Sequence, residues 1–397
     1  MQRLIESIVK QYVGREGFIP YRQTNDFANE ILEMLEETNS EQDPSLALEI
    51  ALLVLEEGVN AFQYADNSDG DIDMLVEETL EHIWEMSNSL DPQDSLVRER
   101  FFERLFSASR SRIVQEYEDS QIALFRICSE LADTEKHREK LKSAIENQLA
   151  VNANNEALYK ILFRLIRDYG SSEEADNFVQ EHLSFTFFRE LAIKKCMENQ
   201  DYERAIELSK EGERQDQQLP GLLSKWKAAR YEACKKLSLR QEQESLAKEL
   251  LFGGDYAYYA ELESLFEGDK EELYRSILAE LKQANHLRAR HVYLQLISDK
   301  KDFEEMMVYV RTNPIVIEEY APRLVEHYRE EVEQIYSSHI HNIAGAASKR
   351  KQYQRVCAML KRYKAIAGKA SQKEIILQLE ALYCHRPAFM DELAKLA

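Results

Sequence analysis

Apolar residues recur three, four and seven places apart along nearly the whole chain, broken by short polar turns. That period is the mark of amphipathic helices, each with one face turned toward a core. One phrase returns: a polar turn, an aromatic or charged residue, then apolar positions at helical spacing. It reads Asp201-Tyr202-Glu203-Arg204-Ala205-Ile206, Asp302-Phe303-Glu304-Glu305-Met306-Met307 and Gln352-Tyr353-Gln354-Arg355-Val356-Cys357, with a weaker copy at Asp269-Lys270-Glu271-Glu272-Leu273-Tyr274. Asp201 to Asp269 spans 68 residues and Asp269 to Asp302 spans 33, close to two units and one unit of a helical hairpin of about 34 residues.

The same periodicity predicts the individual elements. A helix over 26–37 carries Phe27, Ile31, Met34 and Leu35 on one face. Asp43-Pro44 opens the next, since Asp caps free N–H groups and Pro suits the first turn, where its missing donor costs nothing. Its apolar face includes Leu48, Ala51, Leu52 and Leu55, and a third helix runs through Leu75, Leu80, Ile83 and Trp84. Asn88-Ser89-Leu90-Asp91-Pro92 breaks the pattern and restarts it, which predicts a boundary between an acidic N-terminal helical domain, 1–90, and a helical-repeat domain, 91–397. Further breaks fall at 199–201, 253–255, 298–302, 346–351 and 367–371, among others. Helices joined by such short turns pack as antiparallel neighbours.

Composition agrees. The 397 residues include 12 glycines and 7 prolines, too few for a turn-rich β fold. No apolar run approaches the roughly 18 residues that cross a bilayer, and the opening Met1-Gln2-Arg3-Leu4-Ile5-Glu6 lacks a signal-peptide stretch, so a cytoplasmic location is expected. Cys128, Cys196, Cys234, Cys357 and Cys384 are odd in number and widely spaced, which argues for small helix residues, not a disulfide framework or zinc ribbon. The net charge of −21 is uneven: residues 1–100 hold 23 acidic and 6 basic residues, whereas 334–373 hold nine basic and no acidic ones.

Few patterns point to chemistry. The turn Asp66-Asn67-Ser68-Asp69-Gly70-Asp71-Ile72-Asp73 alternates oxygen ligands, making Asp66, Asp69, Asp71 and Asp73 weak metal candidates. Its register fails the EF-hand, because Gly70 at the sixth position puts Ala65 first and Val76 twelfth. An Asx-rich turn capping the next helix is the plainer reading. Glu77, Glu81 and Glu85 form one carboxylate stripe, either solvated or facing basic groups elsewhere. His-Glu-x-x-His, Glu-x-x-His, Gly-x-Ser-x-Gly and both glycine-rich phosphate loops are absent, so no enzyme activity and no cofactor are expected. The best binding candidate is the basic segment 349–373, through Lys349, Arg350, Lys351, Arg355, Lys361, Arg362 and Lys364. Tyr353, Val356, Cys357 and Leu360 form its buried stripe, leaving Tyr363 as the aromatic available for base stacking.

The hairpins are similar to tetratricopeptide-like repeats, although the Trp-x-x-Leu-Gly-x-x-Tyr first helix of that family is absent. The acidic turn 65–72, the stretch Lys351-Gln352-Tyr353-Gln354-Arg355-Val356 and the tail Leu382-Tyr383-Cys384-His385-Arg386-Pro387-Ala388-Phe389-Met390-Asp391-Glu392-Leu393 resemble the helical region of bacterial SWIM zinc-finger proteins. That resemblance implies a cytosolic bacterial protein working beside a zinc finger and Swi2/Snf2-type helicases. The finger's Cys-x-Cys and Cys-x-His are missing here, so zinc is not carried over. The expectation is an all-α, TPR-like α-solenoid that serves as a non-enzymatic protein-interaction scaffold, with accessory nucleic-acid binding through 349–373 as the alternative.

Overall fold

Helix ends in this chain are closed by the polar side chains that punctuate its pattern. Asp43, Asp94, Asp201, Asp269 and Asp302 accept hydrogen bonds from the first-turn N–H groups of Ser45, Val97, Arg204, Glu271 and Glu305 at 2.9–3.2 Å. Each satisfies a donor that the helix itself cannot, a contribution of about 1 kcal/mol. Ser171 and Glu174 form a reciprocal capping box.

Four turns share a second device. Gln200, Ser238, Gly254 and Lys301 take positive φ values of 62°, 56°, 110° and 52°. The following N–H then reaches back five residues: Asp201 to the Cys196 carbonyl, Leu239 to Cys234, Asp255 to Leu250 and Asp302 to Ile297, at 2.9–3.1 Å. This closure satisfies a terminal carbonyl of the helix just ended. Asp201 and Asp302 also cap the next helix, so one residue both stops and starts a helix, and the phrase around them recurs. The two other copies are built differently. Asp269 caps without a left-handed residue before it. Gln352 lies inside its helix, where its side-chain oxygen accepts from the Ser348 and Lys349 N–H groups at 2.8 and 3.0 Å.

A computed structural model describes residues 1–15, 17–40, 43–284 and 286–396. It divides into two compact units, Met1–Lys195 and Cys196–Ala397. The first contains α1 (Gln2–Val13), α2 (Tyr21–Ser40), α3 (Pro44–Ala61), α4 (Asp71–Ser89), α5 (Ser95–Ser109), α6 (Arg112–Gln115), α7 (Glu118–Glu130), α8 (Glu135–Leu149), α9 (Glu156–Tyr169) and α10 (Ser172–Glu181), and the division falls within α11 (Thr186–Glu198). The boundary expected at residue 90 lies inside this unit. Leu90-Asp91-Pro92 is a local turn, while α3 packs on α5 and α6, α4 packs on α7, and one apolar core extends from Ile5 to Leu165. Phe27, Ile31, Leu48, Leu55, Phe101 and Phe102 are all buried in it.

The second unit continues with α12 (Tyr202–Gln215), α13 (Pro220–Lys236), α14 (Arg240–Phe252), α15 (Tyr258–Leu265), α16 (Lys270–Gln283), α17 (Leu287–Asp299), α18 (Phe303–Thr312), α19 (Ile317–Leu324), α20 (Arg329–Ala346), α21 (Arg350–Tyr383) and α22 (Pro387–Ala394). Most neighbours in sequence pack together, and α14 also reaches α17 while α19 reaches α21, the contacts of a stacked array. The break expected at 367–371 is Gly368, whose φ of 91° interrupts α21. The fold is all-α and built of helical repeats, as the periodicity predicts. Cys128, Cys234 and Cys357 are buried, whereas Cys384 is exposed, and none of the five cysteines is in a disulfide.

The approach of α12 to α13 depends on a missing side chain. A Cβ on Gly212 of α12 would lie 2.8 Å from the Trp226 ring of α13, and that ring is held by its Nε1–H donating to Asp216 Oδ2 at 2.7 Å. Gly212→Ala gains about 1 kcal/mol of helix propensity but overpacks the contact by about 1–3 kcal/mol. We expect a net loss, read as a lower urea midpoint followed by Trp226 fluorescence; an unchanged or higher midpoint would refute the close-packing account. A second expectation concerns pH. Burial lowers the pKa of His82, His137 and His339 below the ordinary histidine value. The unfolded chain binds more protons than the folded one once the pH drops below about 6.5, so their stabilisation is complete above that value and fades beneath it. The thermal midpoint should therefore fall between about pH 7.5 and 5.5, and a flat or rising midpoint over that window contradicts it.

Candidate functional site

The acidic turn is held at both ends. Asp66 N–H donates to the Ile19 carbonyl, and Ile19 N–H to the Tyr64 carbonyl, at 2.9 and 2.7 Å. Gly70, at φ 81°, is the N-cap of α4 but has no side chain to cap with. Asn67 supplies the missing acceptor: its Oδ1 takes the Ile72 N–H at 2.9 Å while its Nδ2 donates to Asp73 at 2.8 Å. The Asp66 carboxylate accepts from the Ser68 hydroxyl and N–H, which holds its carboxyl below the usual range. Asp71 accepts from Asn25 at 3.1 Å, and Asp69 hydrogen-bonds Tyr21, pushing that phenol up. The four aspartates thus serve separate partners. Among the described residues no group of three or more His, Cys, Asp or Glu is placed to hold a metal ion.

The basic segment is partly committed to its own unit. Arg362 forms a two-pronged pair with Glu318 at 2.9 and 3.1 Å, and that contact, with the Tyr336 hydroxyl, holds the Glu318 carboxyl down against its burial. Arg350 binds Glu392 at 2.8 Å. Lys349 is the N-cap residue of α21. Lys351, Arg355, Lys361 and Lys364 remain exposed and make no ion pair among the described residues. Tyr363 is not available for stacking: it is buried edge-on against Tyr336, with ring centroids 5.2 Å apart.

The tail after residue 382 proves to be architecture. The Arg386 guanidinium donates to the Ala344 and Ala347 carbonyls at 3.1 and 2.9 Å, closing the end of α20. Pro387 begins α22, Phe389 stacks on Tyr353 at 4.7 Å, and buried Glu392 receives Arg350 and Lys395.

Two clefts stand out instead. In the first unit, α4 and α7 enclose a cleft of about 810 Å³. Of the residues through which α4 was expected to run, Leu75 and Ile83 are buried in the core, whereas Leu80 and Trp84 join Val76 on the cleft floor. Ala123 and Ile127 form the opposite wall, and stacked Phe62 and Tyr117, 5.0 Å apart, lie at one end. Asp73, Glu77 and Glu81 line the α4 lip; Glu116, Glu118 and Asp119 line the other, with Arg126 as the one cation among the lining residues. Glu77 and Glu81 make no ion pair among the described residues, and none could come from nearby sequence: residues 23–97 hold 20 acidic residues and no Lys or Arg. The carboxylate stripe was visible in the sequence; the wall from α7 was not, because periodicity does not say which helices adjoin.

In the second unit, α13, α14, α16, α17 and α18 surround a groove of about 1200 Å³. Phe252, Leu281, Tyr293 and Tyr309 contribute apolar surface, and Leu287 and Val308 stand at its edge, Leu287 83% exposed. Lys227 pairs with Glu249 at 2.6 Å and Lys282 with Glu305 at 2.5 Å. Glu305 is buried and also accepts from the Tyr293 hydroxyl at 2.7 Å. Arg290 donates to the Tyr309 hydroxyl at 2.8 Å. The charges of this groove are therefore largely balanced within it, and its exposed apolar edge is what distinguishes it. Nothing in the sequence pattern singled it out.

No family model matches the chain, and no curated protein matches it. Among solved structures, that of Naa15/Naa10 bound to HypK-THB is similar, at 14% identity and a TM-score of 0.31. The match covers 99% of this chain and 65% of that one. No helix among the described residues is long and apolar enough to cross a membrane.

Proposed function

We propose that this protein is a helical-repeat scaffold that acts by holding other proteins and not by catalysis. The observation that carries the reading is the second unit's groove, where Leu287 and Val308 present apolar side chains to solvent over an aromatic floor. Apolar surface exposed in a concavity gains free energy when a partner covers it. A finer proposal follows from the resemblance of the tail and the 351–356 stretch: the partner system is one that uses a SWIM zinc finger or an associated helicase, the finger being supplied from outside residues 1–397. A cytoplasmic setting belongs to the same proposal. Leu287→Asp combined with Val308→Asp puts two charges on the groove edge without emptying the core. Immobilised wild-type chain should retain at least one protein from a lysate of its source cells that the double variant loses by about tenfold or more. Identical retained sets for the two would remove the groove from the reading, and no retained protein would remove the reading itself.

The alternative, nucleic-acid binding through 349–373, is favoured by the four exposed cations Lys351, Arg355, Lys361 and Lys364. If they neutralise four phosphates, affinity for a labelled DNA duplex falls about 100-fold between roughly 50 and 200 mM salt. Charge reversal at all four should abolish binding. Salt-insensitive anisotropy, or binding that survives the reversal, excludes this reading.

A further inference from the structure

We infer that the α4/α7 cleft of the first unit is a docking site for a basic amphipathic helix of a partner protein. This rests on the scaffold reading and names the chemistry of one partner. The floor is apolar, and Val76, Leu80 and Trp84 repeat every four residues along it, Val76 buried, Leu80 partly exposed and Trp84 38% exposed. Trp84 is steadied by its Nε1–H donating to Glu130 at 3.2 Å. Directly above runs a parallel row, Asp73, Glu77 and Glu81, with the same four-residue step.

The two rows describe the ligand. Asp73 to Trp84 covers about 16 Å of helix, or three turns. A helix laid along it offers apolar residues at i, i+3, i+4 and i+7 to the floor, and Lys or Arg flanking that stripe meets the carboxylates. Six carboxylates and one arginine line the cleft, so an acidic or neutral helix of the same shape is disfavoured by repulsion or by lost attraction. Glu77 and Glu81 repel each other along α4 in the free protein. A cationic occupant relieves that repulsion, so the charge that costs stability alone favours the complex.

The test uses the full chain and a fluorescein-labelled peptide of about four helical turns, built from leucine and lysine at amphipathic spacing. A peptide with glutamate in place of lysine is the control. The lysine peptide should bind and the glutamate peptide should not. Glu77→Lys with Glu81→Lys should weaken binding at least about tenfold and flatten its salt dependence. Because both positions are exposed and each introduced lysine stands one helical turn from a remaining carboxylate, Asp73 or Glu85, the thermal midpoint should hold or rise. Asp26→Lys with Glu33→Lys makes the same change of net charge on exposed α2 positions away from the cleft and should leave affinity within about twofold. Equal weakening by the two double variants would mean general attraction to an acidic protein and would overturn the inference, as would tight binding of the glutamate peptide. Either result leaves the Leu287 and Val308 groove, and the scaffold reading it carries, intact.

Discussion

Every helix leaves four N–H and four C=O groups without partners inside itself, and a chain made almost wholly of short helices must satisfy them at each turn. That constraint explains more of this structure than any single buried side chain. Aspartates at the helix starts and left-handed residues at the helix stops do the work. At Asp201 and Asp302 the two tasks fall to one residue, whose N–H closes the helix behind it and whose carboxylate opens the one ahead. The apolar faces then meet in the order that the turns impose.

Much of this was legible in the sequence because it is local. Asp43-Pro44, the break at Gly368 and the faces of the second and third helices all depend on residues within a few positions of one another. What was not legible depends on distant partners. Arg350 and Arg362 read as free cations until Glu392 and Glu318, more than forty positions away, are brought beside them. Tyr363 reads as spare until Tyr336 covers it. The boundary at residue 90 is a real turn that fails as a domain edge, since the helices on either side share one core. The acidic stripe of α4 was visible, but a stripe becomes a cleft only when another helix stands opposite it.

The two units manage charge in different ways. In the second, cations and carboxylates alternate and pair within the groove, as Lys227 with Glu249 and Lys282 with Glu305. In the first, the stretch from Arg22 to Arg98 carries no Lys or Arg between those two residues. Self-repulsion of this kind opposes compaction, and it is outweighed by the burial of Phe27, Ile31, Leu48, Leu55 and their neighbours. A surface kept at such a cost to the free molecule is suited to work that begins when opposite charge arrives.

The junctions also decide how the chain can change over generations. Four of them are locked to the carbonyl five residues behind, so side chains on the outer faces can drift while the number of residues between Cys196 and Asp201, or Ile297 and Asp302, cannot. One residue gained or lost inside a helix turns everything beyond it by about 100°, swinging the apolar stripe out of the core. Divergent descendants should therefore share lengths of helix and turn long after they have stopped sharing letters.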